Sequence, residues 1–384
     1  MKKIAYCINS LNVCGGREKI VVMKANYLAE HGYEVHIICN QDREKPSFFK
    51  LSPKVKTHWV DADMDYTVTG RFYLSRFLQR RRIRGENGQR YYELLSQIKP
   101  DITISTFCEE HRFLHNVNDG SKKVLEKHSS KYEQWYESEN LGWKARMRSL
   151  YQVFRNQMTA RHYDAFVCLT HEDAASRKPM RNLHVIENPI TIPDMGEADT
   201  DLKRAIAVGR LVTQKRHDIL IRCWAKVAAD IRKGWKLDIY GGGDLEEELN
   251  QQIIELGIQD SVCIHAPVKN IAEEYLKSSI YCSTARHEGF SLAMCEAMSA
   301  GLPVVTFKHP CGASDMIQDE SLGMLIPMGR EDMFVEKLQQ LMTNAELRKS
   351  IGANARRSVY ERYSVETIMQ KWIRLFDELT NNPK

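Results

Sequence analysis

No run of 18 or more apolar residues occurs in this 384-residue sequence, so no segment is expected to cross a bilayer as a helix. Cysteines are never paired as C-x-x-C and never cluster with histidine; the ten present are scattered singly. That argues against a disulfide frame or a zinc site and for reduced thiols in a cytoplasmic protein. Low-complexity segments, short internal repeats and recognised nucleic-acid-binding motifs are also missing, so no nucleic-acid partner is expected. The start, "MKKIAYCINSLNVCGG", meets Asn9, Ser10 and Asn12 too early for a signal-peptide core and reads as a first strand. The dinucleotide fingerprint G-x-G-x-x-G is missing too. "YGGGDLEEEL" would need glycine at position 246 and has Glu246, and the Gly15-Gly16 loop lacks its third glycine. A nicotinamide dehydrogenase is therefore disfavoured.

What is present begins with size. A chain of this length that is 43% hydrophobic can bury a sizeable core and is expected to form two domains. Charge divides it unevenly. Residues 1–190 carry 31 lysines and arginines against 22 acidic residues, a net of +9, and the remainder 24 against 28, a net of −4. Only the first half is expected to meet an anionic partner. Its basic residues concentrate in "RFYLSRFLQRRRIRGENGQR", Arg71 to Arg90, with seven arginines and one glutamate, interleaved with Phe72, Tyr73, Leu74, Phe77 and Leu78. Two readings stand for this stretch: a helix lying on an anionic membrane surface, and a solvated basic helix with one face in the core.

The pattern along the chain alternates. "KKIAYCI" reads as a strand, "REKIVVMKANYLAEHG" as an amphipathic helix ended by Gly32, and "YEVHIIC" as a second strand. "DITIST", "KKVLEKH" and "YDAFVCLT" continue the β-rich runs. In "HVIENPITIP" two prolines bracket a short β-branched run, a linker signature that puts a domain boundary near Asn188. The alternation then restarts with "RAIAVGRL", helix "HDILIRCWAKVAADI", "WKLDIYGGGD", helix "LEEELNQQIIELG", "SVCIHAPV", helix "IAEEYLKSS", "IYCSTA", helix "SLAMCEAMSAG" and "LPVVTF". Such a βαβ series predicts a parallel sheet covered on both faces. Two of them in tandem predict a cleft at the carboxyl ends of their strands. The last helix, "SVETIMQKWIRLFDEL", starts at a Ser364 cap.

Three stretches carry chemistry. In "AVGRLVTQKRHD", Gly209 permits a tight turn after a strand, and Arg210 and Lys215 can reach the sheet mouth, where a guanidinium fork and an ammonium suit a diphosphate. A surface pair on a loop is the plain alternative. Gly241, Gly242 and Gly243 end another strand, as an anion-type loop or as an ordinary strand-to-helix turn. "HEGFSLAMCEAMSAGLPVV" places Glu288 and Glu296 eight positions apart around a helix start. On one continuous helix they would lie about 12 Å and about 80° apart. The break at Gly289 lets Glu288 fold over a helix N-terminus that favours phosphate, with Glu296 about a turn deeper. A carboxylate in an Ala/Met/Leu helix needs partners, and sugar hydroxyls are suitable ones. A partly exposed helix position is the plain alternative for Glu296.

At this point the chain resembles a family. "EGFSLAMCE" has the E-x7-E spacing, preceded in order by "GG" after the first strand, "ENPI" at the interdomain link, "GRLVTQKRHD" and "YGGGDLEEEL", and followed by "EAMSAGLPVV". With these motifs it is similar to the retaining glycosyltransferases of family 4, which have the GT-B fold: α/β, two Rossmann-like βαβ domains facing each other across a cleft. "KHPCGASDMI" resembles the Cys-Gly-rich loop of bacterial enzymes that build capsule and O-antigen. The matches are dense in the C-terminal half and sparse in the N-terminal half.

The resemblance implies an acceptor domain over 1–188, a donor domain over 189–363, and a helix over 364–384 that returns to the first domain. It implies that Arg210 and Lys215 hold the donor diphosphate on loops turned by Gly209 and Gly241. The N–H groups of Phe290, Ser291 and Leu292, after Gly289, would cap the distal phosphate. Glu296 would bind the ribose hydroxyls, and Glu288 would bind hydroxyls of the transferred sugar beside the anomeric carbon. Gly15 and Gly16 would let the first domain approach the phosphates, and the base would sit near His265 to Asn270. "VLEKHSS" puts His128 where relatives carry a cleft histidine, though a satisfied structural histidine remains the alternative; His287 is given no role. The implied reaction moves a hexose or N-acetylhexosamine from a nucleotide sugar, foremost a UDP-sugar, to a growing glycan or lipid-linked acceptor. It needs neither cofactor nor metal and takes place in the cytoplasm or on the inner face of the membrane. Same-face attack assisted by the departing phosphate is the expected route to retention, with Glu288 as covalent nucleophile the less favoured one. Rival readings are another GT-B enzyme, such as a sugar-nucleotide epimerase, and a non-catalytic sugar-nucleotide-binding protein.

Overall fold

The computed structural model describes residues 1–43, 45–60, 62 and 73–381, with Tyr73, Leu74 and Asn140 described by backbone alone. Among the described residues the strands form two sheets. The first contains β1 (Lys3–Ile8), β2 (Glu34–Cys39), β3 (Lys56–Trp59), β4 (Ile102–Ser105), β5 (Lys122–Glu126), β6 (Ala165–Cys168) and β7 (Leu183–Val185). All seven run parallel in the order β3-β2-β1-β4-β5-β6-β7. The second contains β8 (Arg204–Val208), β9 (Lys236–Tyr240), β10 (Val262–His265), β11 (Ile280–Ser283), β12 (Val304–Phe307) and β13 (Met324–Ile326). These six are also parallel, in the order β10-β9-β8-β11-β12-β13.

Helices on both faces explain why the central strands lack a polar alternation. β4 and β12 are buried at every residue, whereas the edge strands β3 and β7 are partly exposed. In each sheet the strand order reverses once, between β1 and β4 and between β8 and β11. Crevices of such sheets open at the carboxyl ends of the strands flanking the reversal. The alternation read from the sequence therefore holds, with local differences. "HDILIRCWAKVAADI" divides into helices His217–Lys226 and Ala229–Arg232, because Val227 and Ala228 are extended. β7 takes the first residues of the stretch read as a linker.

Five helices of the first domain matter below: α1 (Gly16–Glu30), α2 (Tyr73–Ile98), α3 (Glu133–Glu137), α4 (Trp143–Ala160) and α5 (His171–Arg177). Arg71 and Phe72, the start of the basic stretch, lie outside the described residues. The last helix, Val365–Asn381, leaves the second domain with the Ser364 hydroxyl accepting from the Thr367 amide at 3.2 Å. It lies on the first domain. Trp372 stands 4.2 Å from the Lys24 ammonium, Phe376 meets Tyr33 edge-on at 6.4 Å, and Lys371 bonds Glu187 at 2.6 Å. One apolar core therefore runs from β1 and α1 through this helix to the Leu292–Ser299 helix of the second domain.

Candidate active site

The carboxyl ends of β8 and β11 meet where the second sheet reverses. The loop after β8 carries Gly209, Arg210 and Lys215, and the loop after β11 carries Glu288 and Gly289. The two loops are strapped together. Gln214 donates its side-chain amide to the His287 carbonyl at 2.8 Å, and the Arg286 amide donates to the Gln214 carbonyl at 2.8 Å. Thr284 adds a bond to the Arg216 carbonyl at 2.7 Å. Lys215 forms an ion pair with Glu288, its stem lying over Gly209, where a Cβ would come within 3.1 Å of Lys215 Cε. Arg210 stands exposed at the same mouth.

Gly241 has a packing reason of its own. A Cβ there would lie 1.9 Å from the Gly209 carbonyl oxygen, so the loops after β8 and β9 approach backbone to backbone. Leu211 donates to the Gly242 carbonyl at 3.0 Å and closes that contact.

The Leu292–Ser299 helix begins at Ser291, and no side chain caps its first turn. Its amino end is left with donors available to an anion. Phe290 turns its ring into the core against Tyr363 at 5.4 Å, so its backbone is what it offers the cleft. Glu296, in the second turn, is buried and fully engaged. It accepts from Lys19 at 3.0 Å, from Tyr275 at 3.4 Å and from the Thr191 hydroxyl. These partners satisfy a carboxylate that burial alone would penalise.

The first domain closes onto this face. A Cβ on Gly289 would sit 2.2 Å from the His128 carbonyl oxygen and 2.7 Å from Ser129 Cα, and one on Gly16 would be 3.0 Å from Leu292 Cδ1. Gly15, under the Glu18 carboxylate, completes the loop at the start of α1. His128 follows β5 with both ring nitrogens buried and without hydrogen-bond partners among the described residues. Burial pulls its pKa down to about 4, so the ring is neutral at pH 7. Its Nε2 lies 3.4 Å from Glu126 Oε1, and Glu126 is itself held by Lys24 at 2.6 Å.

Several contributors were not read from the sequence. Lys19, three residues after Gly16, reaches across the cleft to Glu296. α3 roofs the mouth: Tyr136 stacks on His287 at 5.2 Å, and Glu139, just beyond α3, pairs with Arg286. The Cys311 amide, in the loop after β12, donates to Glu172 of α5 at 3.0 Å, while Asp315 accepts from the His171 amide at 3.1 Å. His309, buried beside Glu288 and Lys215, has its pKa lowered by burial. At the reversal of the first sheet, Glu110 is buried between Ser105 at 2.8 Å and Asn40 at 3.3 Å, and burial raises its pKa to about 7. The "GGREK" spacing could have nominated Lys19; the contacts of Tyr136, Glu139, Cys311 and Asp315 join segments too distant in sequence for any local signal.

His265, expected near a nucleobase, stacks on Tyr240 at 4.6 Å and meets Asp238 at 2.5 Å. Asp238, Cys263 and His265 place ligand-type atoms within 4.8 Å of one another. Arg204, 2.5 Å from the second Asp238 oxygen, already neutralises that carboxylate.

With this geometry in hand, comparison with known proteins is decisive. Residues 191–358 match the family described as "Glycosyl transferases group 1". The chain is a glycosyltransferase of GT-B fold, and the match to this group spans its second domain. The enzyme is similar over its whole length to an uncharacterized glycosyltransferase of Haemophilus influenzae, 28% identical over 97% of this chain and 99% of that one. It is 24% identical, over 99% of this chain and 100% of the relative, to an alpha-1,4-N-acetyl-D-galactosaminyltransferase of Campylobacter jejuni named for a diNAcBac-PP-undecaprenol-linked substrate. Among solved structures, S. aureus TarM in complex with Fondaparinux, alpha-GlcNAc-glycerol and UDP superposes with a TM-score of 0.76 at 17% identity, covering 98% of this chain and 100% of that one. That last likeness establishes the fold: two parallel-sheet Rossmann-like domains.

Proposed function

We propose that this glycosyltransferase moves a hexose or N-acetylhexosamine from a UDP-sugar, with retention of configuration, to a growing glycan or lipid-linked saccharide of a bacterial surface polysaccharide. The observation that carries the reading is the meeting of Lys215, Glu288 and an uncapped helix start at one sheet reversal, with Glu296 a turn behind. Relatives named for a UDP complex and for a polyprenyl-diphosphate-linked substrate support the choice of donor and acceptor.

In this reading the diphosphate lies between Arg210, Lys215 and the amides of Phe290, Ser291 and Leu292. These groups stabilise the charge that develops as the glycosidic bond to phosphate breaks, and no metal is required. Lys215, paired with Glu288 in the present structure, turns to the phosphates, leaving Glu288 for the hydroxyls of the transferred sugar. Glu296 exchanges part of its contact with Lys19 and Thr191 for the ribose diol. Gly15 and Gly16 let α1 approach the phosphates from the opposite wall. Neutral His128 orients the sugar or the incoming hydroxyl, and the acceptor enters from the first domain. The enzyme works in the cytoplasm, seated peripherally on the inner membrane face by the basic stretch 71–90.

A thermal-shift screen over UDP-, GDP- and ADP-sugars, followed by transfer with the best donor and NMR of the new linkage, tests this. A UDP-sugar should stabilise the protein most and yield a product with the donor's anomeric configuration. Inversion would remove the retaining mechanism. Turnover of donor alone into an epimer would replace the transferase reading, and binding without turnover would leave a sensor.

A further inference from the structure

The helix α4 turns its apolar side outward. Trp143, Met147, Leu150, Tyr151, Phe154 and Met158 are all exposed, with Trp143 at 72% and Phe154 at 63%. At 3.6 residues per turn they fall within an arc of about 100°, a single stripe along the helix. The opposite side, at Val153 and Ala160, is buried. Lys144, Arg148 and Arg155 flank one edge of the stripe and Arg146 the other, and no acidic residue occurs between 143 and 160. α2 comes near it at Arg84, close to Arg155, and carries exposed Phe77 and Leu78 among its arginines. Burial lowers the pKa of Arg155, and Arg112 and then Arg84 of α2 lower it further. α4 thus presents a stripe of apolar side chains fringed by positive charge, with further exposed apolar and basic side chains on α2.

We propose that α4, together with the exposed face of α2, is the surface by which the enzyme docks on a bilayer rich in anionic headgroups. The apolar stripe enters the headgroup–acyl boundary while the flanking cations meet the headgroups. Tryptophan and tyrosine on the stripe suit that depth, having an apolar body and a polar edge. A second copy of the chain is a poorer occupant, because face-to-face pairing would bring arginines against arginines with no carboxylate on α4 to answer them. The proposal rests on the lipid-linked-acceptor reading and adds to it. The surface identified there was the stretch 71–90, whereas the insertion here is by α4, and α4 follows directly on the α3 roof, where Glu139 pairs with Arg286 and Tyr136 stacks on His287. Docking through α4 would therefore hold the mouth of the cleft at the membrane.

The test is co-sedimentation of the full chain, without donor or acceptor, with phosphatidylcholine vesicles with and without about 30 mol% phosphatidylglycerol. Two independent variants accompany it, Trp143→Ser/Phe154→Ser and Lys144→Glu/Arg148→Glu, each checked for an unchanged melting temperature and unchanged UDP binding. Wild type should bind the anionic vesicles, and each variant should lose about tenfold or more in affinity. Equal binding by wild type and both variants, or no binding by wild type, overturns the proposal. So does a wild-type dimer that Trp143→Ser/Phe154→Ser converts to monomer without any vesicle binding, which would make the face a contact between copies. Vesicle binding with no transfer to a lipid-linked acceptor counts against the acceptor reading alone. Transfer to that acceptor without vesicle binding counts against this surface alone.

Discussion

The two domains share one plan, a parallel sheet reversed once and covered on both sides, yet they spend their polar residues differently. In the second, the ends of β8, β9 and β11 are tied by backbone bonds and by glycines that permit carbonyl contact, so its charged side chains stand on a stiff frame. In the first, the sheet reversal holds a buried carboxyl at Glu110, and the conspicuous charges lie on the outer helices. A nucleoside diphosphate has the same shape whatever sugar it carries, which suits a rigid site. On the proposed reading the first domain receives the acceptor, which varies, and so it is free to differ.

Substitutions on the proposed donor face should have the largest effects. Lys215→Ala is expected to lower kcat/KM by about 10²–10³ while leaving the melting temperature nearly unchanged; steady-state kinetics on the purified variant decides it, and near-wild-type turnover would remove the phosphate role. Gly289→Ala attacks the junction between the domains. Its Cβ would meet the His128 carbonyl, where a Cβ stands only 2.2 Å away, and a misplacement of that order should lower kcat by about a hundredfold. If Gly289→Ala turned over normally, the close approach of the 128–129 loop would not belong to the working state. Glu296→Gln should raise the donor KM about tenfold, since the charge-assisted bond proposed to the ribose becomes a neutral one.

Stability probes one buried histidine in each domain. Burial depresses His128 in the first domain and His217 in the second to about 4, from a reference of 6.5. The unfolded chain therefore takes up protons first. The stability each neutral ring preserves is complete above pH 6.5 and is lost as pH falls toward 4, by about 3 kcal/mol per ring at most. His128→Gln should flatten the fall in melting temperature between pH 6.5 and 4, and an unaltered slope would show that the ring is not buried. The smallest effect belongs to Glu139→Gln at the α3 roof, about 0.5 kcal/mol or less in chemical denaturation because its carboxylate is exposed.

How much of this was legible follows the same division. Periodicity and punctuation were enough for the β-rich runs that alternate with helical stretches in both halves of the chain. β3, β7 and β13 escaped because each is an edge strand of three or four residues, too short to carry an alternation of its own. Arg210, Lys215, Glu288 and Glu296 could be nominated because each sits within a few residues of a strand end or a helix start. Lys19, Tyr275 and Thr191, the partners of Glu296, come from three separate segments, and only the folded chain brings them together. The outward face of α4 was invisible for a different reason: an amphipathic pattern says that one side is apolar, and does not say whether that side faces the core or the solvent.

The central claim is that the reversal of the second sheet is a nucleotide-diphosphate site. Isothermal titration of UDP into wild type, Lys215→Ala and Glu296→Gln tests it most directly. The account predicts one site in wild type and affinity lower by about tenfold or more in each variant; equal affinity in all three proteins would contradict it.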